Sequence, residues 1–259
     1  MSMLDTHTIL TIIATALIGG LVGLDRTAVG QFMISQPIVA APLIGWILGD
    51  VTTGLVIGAS LELIWVLDMP IGSFVPANST ISSISATAIA ILASNHHASL
   101  SVIGFSLLLT TGMVPLTMIA DTMVRKWNSR LSDIVLASHG VKMRTALAKA
   151  HFLGLAAFYL KSCILYLIFL PVGIIAVAIF ANLPENIHRA MSFFVKLLPL
   201  LGSAMMVRNL SPTTFDVFLL TGFTISVISM PVFHTPEFTI MLLLVTGVLL
   251  GARSSEVWR

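Results

Sequence analysis

Charged residues are scarce in this sequence. Only 9% of its 259 residues are Asp, Glu, Lys or Arg, whereas a soluble domain carries roughly a quarter. Apolar residues make up 57% of the chain, and the mean hydropathy is +1.02. These values exclude an ordinary soluble domain and predict an integral membrane protein in contact with the lipid bilayer. The net charge of +2 is too small to indicate nucleic acid as a partner.

Cysteine is nearly absent too, since Cys163 is the only one. A single cysteine excludes an internal disulfide and a cysteine-rich metal site. The sequence also lacks a phosphate-binding Walker A loop, a cluster of metal ligands and a spaced nucleophile–base motif. We therefore expect no catalytic residue, no metal and no other cofactor. A transport protein of this kind would depend on an ion gradient or on partner proteins.

Long hydrophobic runs predict the fold class. The second, third and last of these runs are shorter than the roughly 17 to 25 residues of a full crossing. Short segments interrupted by Gly or Pro are typical of broken or re-entrant helices in transporters, although neighbouring residues could simply extend them. The prediction is an all-α, polytopic integral membrane helix bundle with short or broken helices. The runs are 8–24, 37–49, 53–67, 100–122, 153–181, 191–208, 211–233 and 236–251.

The segment 69–95 is uncharged, yet rich in Pro, Gly and hydroxyl side chains. Pro70 and Pro76 each remove a backbone donor and discourage a continuous helix. Irregular backbone at membrane depth is tolerated only where it is buried in protein or lines a cavity. The segment is therefore predicted to form a re-entrant hairpin; the alternative is an extramembrane loop followed by one more span.

Basic residues divide the chain. Six of its thirteen lie in the segment 125–150, which the positive-inside rule places in the cytoplasm. We predict one membrane-embedded domain, 1–259, in which this basic loop separates an N-terminal half, 1–124, from a C-terminal half, 151–259. The first run, 8–24, lacks a basic region before it and is read as a retained span rather than a signal peptide.

Two glycine pairs mark a packing face. Gly45 and Gly49 form one pair, and Gly54 and Gly58 form another. Four-residue steps keep side chains on one side of a helix, and small residues there let another backbone approach closely. Glu62 continues this spacing, so it is expected on a close-packed face rather than facing lipid. Between the pairs, Gly49-Asp50 is interpreted as a helix stop followed by an N-cap.

Acidic and amide side chains in apolar surroundings are the candidate binding residues, because a charge in a bilayer core costs several kcal/mol. Glu62 either binds substrate hydroxyls, pairs with a buried base or is protonated and structural. Asp68 is a second candidate, although it could lie at a helix end. Trp65 would offer an aromatic face to a sugar ring, or an interfacial anchor. Asn78 is a binding or turn residue, and Asp25 an interfacial, gating or substrate-binding one.

The spacing of these residues resembles that of enzyme IIC of the mannose-type (mannose, fructose, sorbose) bacterial sugar phosphotransferase system. The resemblance is densest over residues 17–95 and continues more loosely to the end. The first helix connection, at Leu24-Asp25 and Pro37, is also similar. The matching pattern is Gly45-x3-Gly49-Asp50-x3-Gly54-x3-Gly58-x2-Leu61-Glu62-x8-Ile71-Gly72.

The resemblance implies a function and a set of partners. Such a subunit is a multi-pass protein of the bacterial inner membrane that pairs, in a higher-order oligomer, with a homologous enzyme IID. Together they bind a hexose or amino sugar and move it by an elevator-like shift. Cytoplasmic enzyme IIB, phosphorylated by enzyme IIA, then phosphorylates the sugar. The IIC subunit itself carries no catalytic or phosphorylated residue.

One position departs from the pattern. Where many members of the family have Pro-Asp after the Ile-Gly motif, this chain has Pro76-Ala77-Asn78, so an amide replaces a carboxylate. The change would alter sugar preference or mark a diverged, non-transporting scaffold or regulator. An ion-coupled carrier that acts alone, with Glu62 or Asp68 as its proton site, is the other alternative to a sugar-translocating IIC subunit.

Overall fold

Eight helices make up the regular structure of the part of the chain that this computed structural model describes, namely residues 5–65, 75–94, 98–137 and 141–210. The chain divides into two units, Met1–Ser203 and Ala204–Arg259, and the account below concerns the first. The helices are α1 (Thr6–Asp25), α2 (Pro37–Leu48), α3 (Val51–Trp65), α4 (Ser79–Ala93), α5 (Leu100–Gly112), α6 (Val114–Leu136), α7 (Val141–Phe180) and α8 (Glu185–Leu210).

Helix length separates two groups. Thr6–Asp25, Leu100–Asp133 and Met143–Phe180 are long and apolar enough to cross a membrane. Helices α2, α3 and α4 contain 12, 15 and 15 residues. At about 1.5 Å per residue they are shorter than the hydrocarbon core of a bilayer, which is about 30 Å thick. The predicted class, an all-α polytopic membrane bundle with short helices, is confirmed.

Helices α2 and α3 form a hairpin that turns at Gly49-Asp50. Gly49 ends α2 in the left-handed conformation, with φ +89°, which a residue without a Cβ adopts at little cost. Asp50 then caps α3, since its carboxylate accepts hydrogen bonds from the backbone N–H of Thr53 at 3.0 Å and from its hydroxyl at 2.7 Å. Two short helices that double back in this way have the form of a re-entrant hairpin.

This hairpin precedes the segment for which the sequence predicted one. Within 69–95 the structure describes a single helix, α4, and residues 75–78 before it, which have no regular secondary structure. Residues 66–74, which would form the other arm, lie outside the described part of the chain. The hairpin at 69–95 therefore stays a prediction, while the glycine-marked segments on its N-terminal side supply a hairpin of short helices.

Two helices extend further than the hydropathy indicated. The run 100–122 divides at Met113 into α5 and α6, where Pro115 stands in the first turn of α6, and α6 continues to Leu136. Helix α7 begins at Val141, so the basic segment 125–150 is helical on both sides of 138–140 rather than a loop. Its Lys, Arg, Ala and Leu residues are strong helix formers, whereas hydropathy marks only where a helix contacts lipid.

Helix α4 lies at the centre of the bundle. Every residue from Ser79 to Ile91 is buried, and the helix packs against α1, α2, α3, α5 and α7. Small residues on a neighbouring helix allow close approach to α4. A Cβ added to Gly173 of α7, for example, would lie 2.2 Å from the Cδ1 of Ile89. The N-terminus of α4, and Asn78 immediately before it, is thereby enclosed by other helices.

Candidate substrate site

The glycines of the α2–α3 hairpin bring Glu62 close to the start of α2. Cβ atoms added to Gly54 and Gly58 would each lie 2.5 Å from a backbone oxygen of α2, that of Ala41 and of Pro37 respectively. A Cβ added to Gly45 would lie 2.6 Å from the backbone oxygen of Asp50, the residue before α3. Gly49 differs from the others because it ends α2.

Glu62 occupies the N-terminus of α2. Its Oε2 accepts a hydrogen bond of 3.2 Å from the backbone N–H of Ile38. The first N–H groups of a helix lack partners within the helix, and Gln36, the N-cap residue, supplies no side-chain bond. The half-buried Glu62 carboxylate fills that role from another helix and is stabilised by the positive end of the helix dipole. Among the described residues, no basic side chain forms an ion pair with Glu62.

Asn78 occupies the N-terminus of α4. The side chain is 4% exposed, and its Oδ1 accepts a hydrogen bond of 3.2 Å from the backbone N–H of Ile81. Its Nδ2 donates a 3.1 Å hydrogen bond to Oδ2 of Asp121 on α6. The other oxygen of Asp121 accepts from the ammonium of Lys161 on α7 in a buried ion pair. Three helices therefore meet through one amide and one carboxylate.

The end of α1 completes the same region. Arg26 donates to the hydroxyl of Ser79 at 2.6 Å and to the carbonyl of Ala77 at 2.7 Å, on either side of Asn78. Its neighbour Asp25 makes its hydrogen bonds with a different segment. The buried Asp25 carboxylate accepts from backbone N–H groups of the α1–α2 connection, those of Phe32 at 2.7 Å and Ser35 at 3.0 Å.

Ser35 connects the two helix starts. Its carbonyl accepts a 2.7 Å hydrogen bond from the hydroxyl of Thr80 in the first turn of α4, and α2 begins two residues later. The N-termini of α2 and α4 therefore lie at the same end of the bundle. Glu62 caps one of them and Asn78 the other, so the structure brings these two predicted residues into one region with Asp25.

A small cavity lies beside Asn78. Its volume, about 10 Å³, is the room needed for a single water molecule. Polar and charged side chains dominate its lining. The lining residues are Gly23, Arg26, Thr27, Val75, Pro76, Asn78, Asp121, Arg125, Phe158 and Lys161.

The remaining predicted residues are less central. Trp65 ends α3, half-buried against an apolar cluster that includes Ile57 and Leu61. Asp68 lies outside the described residues. Asp121 and Lys161 were not singled out from the sequence, although both are charged residues inside the predicted spans 100–122 and 153–181. The cost of a charge in a bilayer core, which drew attention to Glu62, marks them equally.

The chemistry of this region suits a ligand with many hydroxyl groups. The carboxylates of Glu62 and Asp121 accept hydrogen bonds. The donors of this region are the amide of Asn78, the ammonium group of Lys161 and the guanidinium group of Arg26. Charge-assisted hydrogen bonds are about twice as strong as neutral ones, which favours the binding of hydroxyl groups by these side chains. No group of three or more His, Cys, Asp or Glu side chains that could hold a metal occurs among the described residues.

A polytopic helical membrane protein with a polar site enclosed at the N-termini of short helices is the class that the fold defines. Its family is shown by a family model, the sorbose-specific IIC component of the phosphotransferase system, which matches residues 9–252. The chain belongs to this family.

Two relatives from Escherichia coli K12 match part of the chain. The putative N-acetylgalactosamine permease IIC component 2 is 38% identical over 78 residues, which are 30% of this chain and 58% of that protein. The mannose-specific EIIC component is 38% identical over 61 residues, 24% of this chain and 23% of that protein. The matches thus span about half of the first relative and a quarter of the second.

Two solved structures share the fold over 98% of this chain and 96% of theirs. One, described only as a membrane protein, has a TM-score of 0.66 at 22% identity. The other, the mannose transporter ManYZ in complex with microcin E492, has a TM-score of 0.55 at 21% identity.

Proposed function

We propose that the chain is the sugar-translocating subunit, enzyme IIC, of a mannose-type phosphotransferase system in the bacterial inner membrane. The observation that carries the proposal is the polar region at two helix starts: Asn78 caps α4 and is hydrogen-bonded to the ion pair of Asp121 and Lys161, and Glu62 caps α2 at the same end of the bundle. Burial of charged and amide groups inside a membrane bundle is costly, and such groups usually mark a functional site. Family membership and the hydroxyl-binding chemistry of the site support the same function.

The partners follow from the same proposal. The chain would assemble with an enzyme IID membrane subunit, and sugar would be phosphorylated by enzyme IIB after transfer from enzyme IIA. The fold match to the mannose transporter ManYZ supports a membrane partner. The substrate would be a hexose or an amino sugar, as the names of the two relatives suggest.

Glu62→Gln tests the site. The glutamine oxygen can still accept from the N–H of Ile38, so the start of α2 stays capped while the charge is removed. Loss of a charged hydrogen bond to a sugar hydroxyl costs about 1.5–3 kcal/mol, which raises KM roughly 10- to 100-fold. KM is measured as initial uptake of radiolabelled mannose, N-acetylgalactosamine or sorbose in cells that contain all four subunits.

Glu185→Gln is the matched control. Glu185 lies at the start of α8 with its side chain 69% exposed, so KM should not change. Unchanged KM in Glu62→Gln, at normal membrane levels, would remove Glu62 from the site. Uptake that persists without the IIA, IIB and IID partners, or gradient-driven transport by the purified chain in vesicles, would show an ion-coupled carrier instead.

A further inference from the structure

The ion pair of Asp121 with Lys161 joins α6 to α7 and also contacts Asn78, at the start of α4. The side chains are 12% and 8% exposed. Removing two charges from water costs about as much as their attraction returns, so a buried ion pair is a weak source of stability. Among the described residues, the pair nevertheless has one hydrogen bond outside α6 and α7, that from the Asn78 amide.

That contact, together with the cap on the N–H of Ile81, orients the amide of Asn78. Asp121 accepts with both oxygens, one from Lys161 and one from Nδ2 of Asn78. A carboxylate cannot donate, so the NH2 end of the amide must face α6, and the oxygen must face the N–H of Ile81. Among the described groups, the N–H of Ile81 on one side and the carboxylate of Asp121 on the other both favour this orientation, and a change at 121 removes one of the two.

The backbone around Asn78 is held as well. Arg26 binds the residue before it and the residue after it, at Ala77 and Ser79. One N–H of the Asn78 amide is used by Asp121, and the second has no partner among the described residues. Asn78, Asp121 and Lys161 all line the small cavity. A fixed donor therefore borders the space where a ligand would be bound.

We propose that Asp121 and Lys161 are positioning residues for sugar binding, which fix the Asn78 amide so that its second N–H meets a sugar oxygen. The inference rests on the proposed function. Lys161 anchors Asp121, Asp121 orients Asn78, and Asn78 contacts the sugar.

The single variants break the arrangement at different points. In Asp121→Asn, an NH2 group replaces one of the two carboxylate oxygens and cannot accept, so the bond to Lys161 or to Asn78 made at that position is lost. Lys161→Met leaves the carboxylate without its anchor, whereas Lys161→Arg keeps the charge. We expect KM for sugar uptake to rise at least about tenfold in the first two variants and to stay within about threefold in the third. Maximal rates per membrane-inserted protein should change less than KM.

An exchanged pair separates positioning from stability. Asp121→Lys combined with Lys161→Asp restores an ion pair between α6 and α7, but it places an ammonium beside Asn78. The amide then turns its oxygen toward position 121 and its NH2 group toward Ile81, so the backbone N–H of Ile81 loses its acceptor. We expect the thermal midpoint of the purified complex to recover while KM stays at least about tenfold raised. Recovery of KM along with the midpoint would overturn the proposal.

A second measurement does not depend on transport. Asn78→Ala, Asp121→Asn and the double variant form a thermodynamic cycle for thermal unfolding of the complex. If Asp121 acts on Asn78, the double variant will lose clearly less stability than the two single losses added together. Additive losses would overturn the inference even where no sugar is taken up. Conversely, strong coupling without uptake of any of the three sugars would sink the proposed function and leave the Asp121–Asn78 coupling standing.

Discussion

Gly58→Ala tests whether close packing of the α2–α3 hairpin sets the position of Glu62. The added Cβ would lie 2.5 Å from the carbonyl oxygen of Pro37, and ordinary contact begins at 3.4 Å, so α2 must withdraw by about 0.9 Å. The next residue, Ile38, donates to Glu62 at 3.2 Å. The same displacement would lengthen that bond to about 4 Å, which is no longer a hydrogen bond.

The cost has two parts. Overpacking costs about 1–3 kcal/mol, and loss of a hydrogen bond to a charged group costs about 1.5–3 kcal/mol. A combined loss of about 3 kcal/mol, with partial relaxation of α2, corresponds to a fall in Tm of roughly 5–10 °C for a unit of this size. Because the carboxylate of Glu62 would lose its fixed place, KM for sugar uptake should rise as well.

Gly112→Ala is the matched control. Gly112 ends α5, and a Cβ added there meets no heavy atom within 4 Å. Alanine is the better helix former by up to about 1 kcal/mol, so Tm should stay the same or rise. Thermal unfolding of the purified complex and uptake kinetics are measured on both variants side by side. Equal Tm and equal KM in the two would refute the dependence of Glu62 on this packing.

Two further substitutions test the hairpin turn and the core. Asp50→Ala removes the bonds to Thr53 and should lower Tm by a few degrees, about 1 kcal/mol, with KM unchanged; an unaltered Tm would show that α3 needs no cap. Gly173→Ala places a Cβ 2.2 Å from Cδ1 of Ile89 and should destabilise by about 1–3 kcal/mol in thermal unfolding unless that side chain repacks freely.

Local signals explain what could be predicted from the sequence. Gly49 and Asp50 end one helix and start the next through their own backbone freedom and side-chain reach, so their roles depend on near neighbours. The short helices are visible because hydropathy is read over a few residues. Hydropathy does not show where a helix continues through polar residues. The sequence therefore did not reveal that α6 and α7 extend into the basic segment.

Pairing between distant residues accounts for what could not be predicted. Lys161 and Asp121 are 40 positions apart, and Asn78 and Asp121 are 43 positions apart. A single sequence marks each of them as costly in a membrane but does not say which of them meet. Glu62 illustrates the same limit, since its partner is a backbone N–H that becomes available only when α2 packs beside α3.

The amide at position 78 has a structural reason. The resemblance implies a carboxylate there, and its replacement suggested either a changed sugar preference or loss of the site. A carboxylate at 78 could still cap Ile81, but its second oxygen would face Asp121 across the 3.1 Å that the amide now spans. Two carboxylates at that distance repel each other. With Asp121 in place, the amide is the group that complements the acid contributed by α6. A changed sugar preference and a loss of transport both stay predictions.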